Sequence, residues 1–176
     1  MDRIIQRPQA TGLVTPSPVR YRSDVSSSLL KGAPPPASDH VLDRFAATIA
    51  APLPASLRAL YGIADGQRHD AAPLFTAKRD GSRCHFLTVA AAEALWCTLN
   101  ADPGVDDWVP QLVPFASDGG FSVLCVDLQT EAVRLLWTGG PDWTLPREWQ
   151  TGLFEEYPSL DALLAATTTA EEVAPT

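Results

Sequence analysis

Residues Trp108–Asp127, WVPQLVPFASDGGFSVLCVD, decide how this chain folds. Two apolar runs flank Ser117-Asp118-Gly119-Gly120: Val113, Phe115 and Ala116 lead in, and Phe121 to Val126 lead out. Apolar runs of this length bounded by Gly and Asp predict two strands joined by a tight loop. The second run is apolar on both alternating sides, with Phe121, Val123 and Cys125 on one and Leu124, Val126 and Leu128 on the other. A strand apolar on both faces belongs in the middle of a sheet.

Working outward, Gln129-Thr130-Glu131 reads as a turn and Ala132 to Trp137 as a third strand, giving a meander. Asp127 ends a strand that carries no other charge, so its carboxylate is expected to accept backbone N–H bonds near Thr130. Upstream, Thr88 can cap a helix from Val89 to Leu99 whose apolar face is Ala92, Leu95, Trp96 and Leu99. Before it, Leu74-Phe75 and Cys84 to Leu87 read as short strands on either side of a charged turn from Lys78 to Arg83. Further upstream Ser38 and Asp39 are good N-caps for a helix with Val41, Leu42, Phe45 and Ile49 on one stripe, ended by Pro52. Pro54 suits the first turn of a second helix with Leu57, Leu60 and Tyr61 inward, stopped by Asp65-Gly66. Downstream, Ser159 caps a last helix with Leu160, Leu163 and Leu164. Helices before and after a run of antiparallel strands point to an α+β domain. The expected division is a Pro/Ser/Thr-rich arm over residues 1–37, a domain over 38–166 and a frayed tail over 167–176.

A chain of 176 residues, 45% hydrophobic and 19% charged, has room for one core. No apolar run approaches the roughly 20 residues that span a bilayer, and the N-terminus lacks the pattern of a secretory signal. The expectation is a soluble cytoplasmic protein. Charge is uneven: residues 1–40 carry five bases and three acids, and with −8 overall the rest carries −10. That disfavours direct nucleic-acid binding. It suits a basic protein partner, or it serves solubility alone.

Catalytic patterns are few. There is no phosphate-binding glycine loop, no nucleophile elbow and no H-E-x-x-H. Cys84, Cys97 and Cys125 have no zinc-type spacing and read as buried, inert thiols. Cys84 and His85 are adjacent in a strand and point to opposite faces, so they cannot share a proton; a Cys84–His69 pair remains a minor alternative. Asp118 and Asp127 stand nine residues apart, roughly 30 Å of extended chain, too far for joint acid/base work. No metal or cofactor is expected. Of five tryptophans, Trp96 and Trp108 read as core, while Trp143 and Trp149 lie among polar residues and suit an exposed groove.

The segment Leu53-Pro54-Ala55-Ser56-Leu57-Arg58-Ala59-Leu60-Tyr61, followed by Asp65-Gly66-Gln67, resembles the first signature of the SMI1/KNR4 (SUKH) superfamily. Trp108, then Val113 to Gly120, then Leu124-Cys125-Val126-Asp127-Leu128, resembles the second. Phe86-Leu87-Thr88 and Tyr157-Pro158-Ser159-Leu160 match in order. One departure is local: Phe121-Ser122-Val123 stands where the family has a third Gly and an acidic or aromatic residue. The resemblance implies an α+β fold with a mixed, mainly antiparallel sheet and helices packed on it. It also implies a non-catalytic role, in bacteria as an immunity protein that binds and neutralises a cognate toxin, often a nuclease, and in fungi as a regulatory scaffold. A non-immunity adaptor is the alternative. The expected partner contacts are Asp65, Gln67, Ser117, Asp118 and Trp143.

Overall fold

The computed structural model describes residues 32–68, 70–101, 110–138 and 153–172. Most of the expected arm, together with Trp108, Trp143, Trp149 and His69, lies outside them. Among the described residues there are four helices and one six-stranded sheet.

Helix α1 (Asp39–Thr48) starts on Ser38, whose Oγ accepts the Val41 N–H, and buries Leu42 and Phe45. It ends before Pro52. Ala50 takes a positive φ of 54°, and the Ala50 and Ala51 N–H groups donate to Ala47 and Ala46. That is a Schellman stop made with alanine where glycine is usual. Helix α2 (Ala55–Tyr61) places Pro54 at the N-cap, one position earlier than expected, and buries Leu57, Leu60 and Tyr61. Arg58 pairs with Asp43 and joins the two helices.

The strands are β1 (Phe75–Thr76), β2 (Arg83–Phe86), β3 (Leu112–Ser117), β4 (Ser122–Asp127), β5 (Val133–Trp137) and β6 (Leu153–Tyr157). Each pairs with its neighbour in sequence, and every described pairing is antiparallel. The parallel admixture implied by the resemblance is therefore missing among the described strands. β4 is buried at all six positions, as a central strand must be. Its two faces divide as the alternation predicts. Leu124 and Val126 enter the main core with Phe45, Tyr61, Phe75, Phe86 and Phe115. Val123 and Cys125 enter a smaller core with Leu99, Leu112 and Leu136, covered by Leu95 and Leu99 of α3 (Val89–Ala101). Phe121, expected on the Val123 face, is instead outside the strand and 55% exposed.

Pro114 lacks a ladder N–H, and the β3–β4 register slips beside it, between Pro114 and Ala116. Strand β6 was not foreseen, because Glu155-Glu156 breaks the apolar alternation. Glu156 is nonetheless buried, and its carboxylate accepts the Lys78 and Arg79 N–H groups at 2.5 and 3.2 Å. The sheet therefore curls until β6 meets the β1–β2 turn. Lys78 Nζ lies 3.8 Å above the Tyr157 ring, and the Arg79 guanidinium 4.4 Å above that of Phe154. Helix α4 (Leu160–Glu172) begins with the Ser159 hydroxyl accepting the Ala162 N–H and runs on past Thr167.

Candidate partner-binding face

Three consecutive residues hold the loop after α2. Asp65 Oδ1 accepts the Val89 N–H at 2.7 Å, which caps α3 from a distant part of the chain. Thr88 Oγ1 accepts the Ala91 N–H of the same first turn. Gly66 has φ +84°, and a Cβ there would lie 2.6 Å from the Thr88 nitrogen, so only glycine lets the two backbones approach. Gln67 extends the sheet edge. Its N–H donates to the Phe86 carbonyl at 2.9 Å, its Oε1 accepts the Phe86 N–H at 3.2 Å, and its Nε2 donates to the Ala72 carbonyl.

This loop forms one wall of an open cleft of about 520 Å³. Arg68, His85, Thr88, Ala91 and Leu95 line it, and the β3–β4 turn closes the far side with Ser117, Asp118 and Gly119. Three of the five expected contacts, Gln67, Ser117 and Asp118, thus share one depression. Asp65 does not line it but caps the helix that does. Trp143 lies outside the described residues.

The turn is built by its own side chains. Ser117 Oγ accepts the Gly119 N–H at 3.1 Å. Asp118 Oδ1 accepts the Gly120 and Ser122 N–H groups at 2.7 and 3.0 Å, while the carboxylate remains exposed. Gly119 has φ +76° with nothing within 4 Å of a Cβ, so here the glycine supplies torsion and no close approach.

Beneath the turn is a half-buried polar cluster that no local pattern announced. Asp80 Oδ2 accepts the Ser82 and Ser122 hydroxyls at 2.7 and 2.8 Å, and Asp80 Oδ1 accepts the Ser82 N–H at 2.8 Å. Burial pushes the Asp80 carboxyl up, but these hydrogen bonds outweigh it and hold the group below the ordinary aspartate range. Glu156 moves the other way: burial raises it, the two N–H bonds oppose that, and the Asp80 charge adds to the rise.

Two of the three cysteines, Cys84 and Cys125, are buried thiols that burial works against as nucleophiles. Cys84 is fully buried, and its thiol is pushed up to about 12 by burial and then by Asp118, Asp80 and Glu156. That direction is opposite to activation. Burial likewise raises Cys125. Cys97 departs from expectation and is exposed. Helix α3 is apolar around most of its circumference, so its sequence does not mark which side meets the core. Trp96 is half-buried, with its Nε1–H donating to the Pro110 carbonyl at 3.2 Å. Among the described residues no three His, Cys, Asp or Glu side chains gather to hold a metal ion. No described helix is long and apolar enough to cross a membrane.

The residues that make this face, from the Asp65-Gly66-Gln67 loop to the Ser117–Gly120 turn, are those on which the resemblance rested. No curated protein matches the chain. The sequence profile of the SMI1 / KNR4 family (SUKH-1) matches residues 36–166, from before α1 into α4, and the chain belongs to that family.

Proposed function

We propose that this chain is a bacterial immunity protein that binds a cognate protein toxin and blocks it without covalent chemistry. The observation that carries the reading is the open cleft between the Gln67 loop and the Ser117–Gly119 turn. Its walls are fixed by backbone bonds, so it is formed before any partner arrives. Family membership favours immunity, a role in which the protein acts by binding. The net charge of −10 over residues 41–176 favours a basic toxin and disfavours direct contact with nucleic acid. On this reading the complex forms in the cytoplasm. Ser117 and Asp118 touch the toxin, and Trp143 extends the contact. Asp65 and Gln67 serve mainly by holding the wall, since their polar atoms are taken by Val89, Phe86 and Ala72.

Inspection of the neighbouring genes for a toxin domain, followed by co-expression with it, tests the proposal, and the lack of such a neighbour counts against it. The wild-type chain restores growth and binds the purified domain. Ala91→Arg places a long cation in the cleft from an exposed helical position and abolishes both, with an unchanged melting temperature. Full protection by Ala91→Arg would remove the cleft from the interface. Failure of the wild-type chain to bind or protect would return the protein to the adaptor reading.

A further inference from the structure

We infer that Phe121 is the aromatic anchor of the partner interface, inserting into an apolar pocket that basic residues rim on the partner. The inference rests on the immunity reading and adds to it a specificity-determining residue outside the cleft. Phe121 is the exposed large hydrophobic side chain among the described residues. It stands beside the family's glycine turn, where this chain departs from the family pattern.

Its exposure comes with rigidity. The ring packs 5.5 Å from Trp137, and the Phe121 carbonyl accepts both the N–H and the hydroxyl of Thr138, at 2.8 and 3.1 Å. The next residue, Ser122, is fully buried and bonded through its hydroxyl to Asp80. A ring packed against Trp137 on a backbone fixed at either side loses little freedom on binding, and aromatic residues, Phe among them, are enriched at interfaces. The charge nearby sets the partner's chemistry. Asp118, in the same turn, is exposed and accepts the Gly120 and Ser122 N–H groups, so it sets a negative charge three residues before the ring. The bases of the β1–β2 turn are drawn over the β6 rings. An aromatic residue beside an exposed carboxylate, on a domain of net charge −10 over residues 41–176, fits a pocket bordered by Lys or Arg.

The test measures binding kinetics with the toxin domain that the co-expression assay identifies. Phe121→Ala should weaken binding about 30-fold or more, chiefly through faster dissociation, with the melting temperature unchanged. Asp118→Asn keeps an oxygen for the turn N–H groups. It should slow association several-fold at low salt and leave dissociation near wild type. His40→Ala, exposed at the start of α1, should change neither. If Phe121→Ala lowers the melting temperature by more than a few degrees, Phe121→Leu carries the test, with an expected loss of about tenfold. Phe121 variants within about threefold of wild type, while Ala91→Arg still abolishes binding, would overturn the anchor and leave the immunity reading intact. Absence of wild-type binding would overturn both, and the wild-type arm alone reveals it.

Discussion

The two ends of β4 use the same device and reach opposite results. At one end Asp127 accepts the Gln129 and Thr130 N–H groups at 2.8 and 3.3 Å. At the other Asp118 accepts the Gly120 and Ser122 N–H groups at 2.7 and 3.0 Å. Both carboxylates therefore shape a turn by taking orphan backbone donors. Asp127 is 5% exposed and lies 3.5 Å from the Arg134 guanidinium on β5, so its charge is answered inside the fold. Asp118 stays exposed, and its Oδ1 is held by backbone N–H groups. The first turn is closed on itself. The second keeps a charge facing solvent, next to an open cleft and an exposed phenyl ring. What separates a structural turn from a candidate interface here is the burial and the counter-charge, since the local hydrogen bonding is alike.

The comparison predicts unequal costs. Asp127→Ala strips two backbone donors of their acceptor in a buried setting and takes a carboxylate from Arg134. It should cost about 3 kcal/mol in urea unfolding. Asp118→Ala removes the same number of bonds, but from an exposed carboxylate, with the Gly120 N–H open to water and no loss to Arg134, and should cost about 1 kcal/mol. Equal losses would mean that the exposed turn is as integral to the fold as the closed one.

The same contrast shows how far the sequence could be read. The Asp127 turn was legible, because an acid ending an uncharged strand has few places to send its oxygens. The hairpin, the α1 stripe and the Thr88 cap were legible for the same reason: each is a pattern within about ten residues. The rest depends on long-range contact. Nothing local marks Glu156 for burial, which is explained by the N–H groups of Lys78 and Arg79, on the far side of the curled sheet. Asp65 and Gln67 read as contact residues because they are polar loop residues. The structure gives their atoms to α3 and β2, which no spacing could show. Phe121 was assigned to a buried face by alternation, but the strand begins one residue later and leaves it outside. Of the proposed site, the turn was legible in the sequence, and the exposure of the ring beside it was not.

A second prediction concerns what the open turn stands on. Ser122→Ala removes one hydroxyl donor from the Asp80 carboxylate and should cost about 2 kcal/mol at neutral pH. The folded-state pKa of Asp80 lies below its ordinary value of 3.8. Its stabilising contribution is therefore fully present above that value and is lost as pH falls through the depressed folded pKa. The variant has less of this contribution to lose. Unfolding midpoints measured from pH 7 down to pH 2.5 should show the gap between wild type and Ser122→Ala narrowing below about pH 3.8. A gap that stays constant would mean that the hydroxyl matters by packing alone.

The smallest effect is the most informative about the comparison. Phe121→Ala should change unfolding free energy by no more than about 0.5 kcal/mol, because the ring is 55% exposed and its described packing is against Trp137. A core phenylalanine of this fold, such as Phe115, would cost about 3–5 kcal/mol on the same truncation. Exposed aromatic surface is unfavourable in water, so a side chain that stabilises the fold so little needs another account. If Phe121→Ala costs 2 kcal/mol or more, the ring belongs to the core it borders and the open end of β4 is as structural as the closed one. If the cost is near zero and partner affinity collapses, the two ends of one strand divide the work, one holding the sheet and the other presenting it.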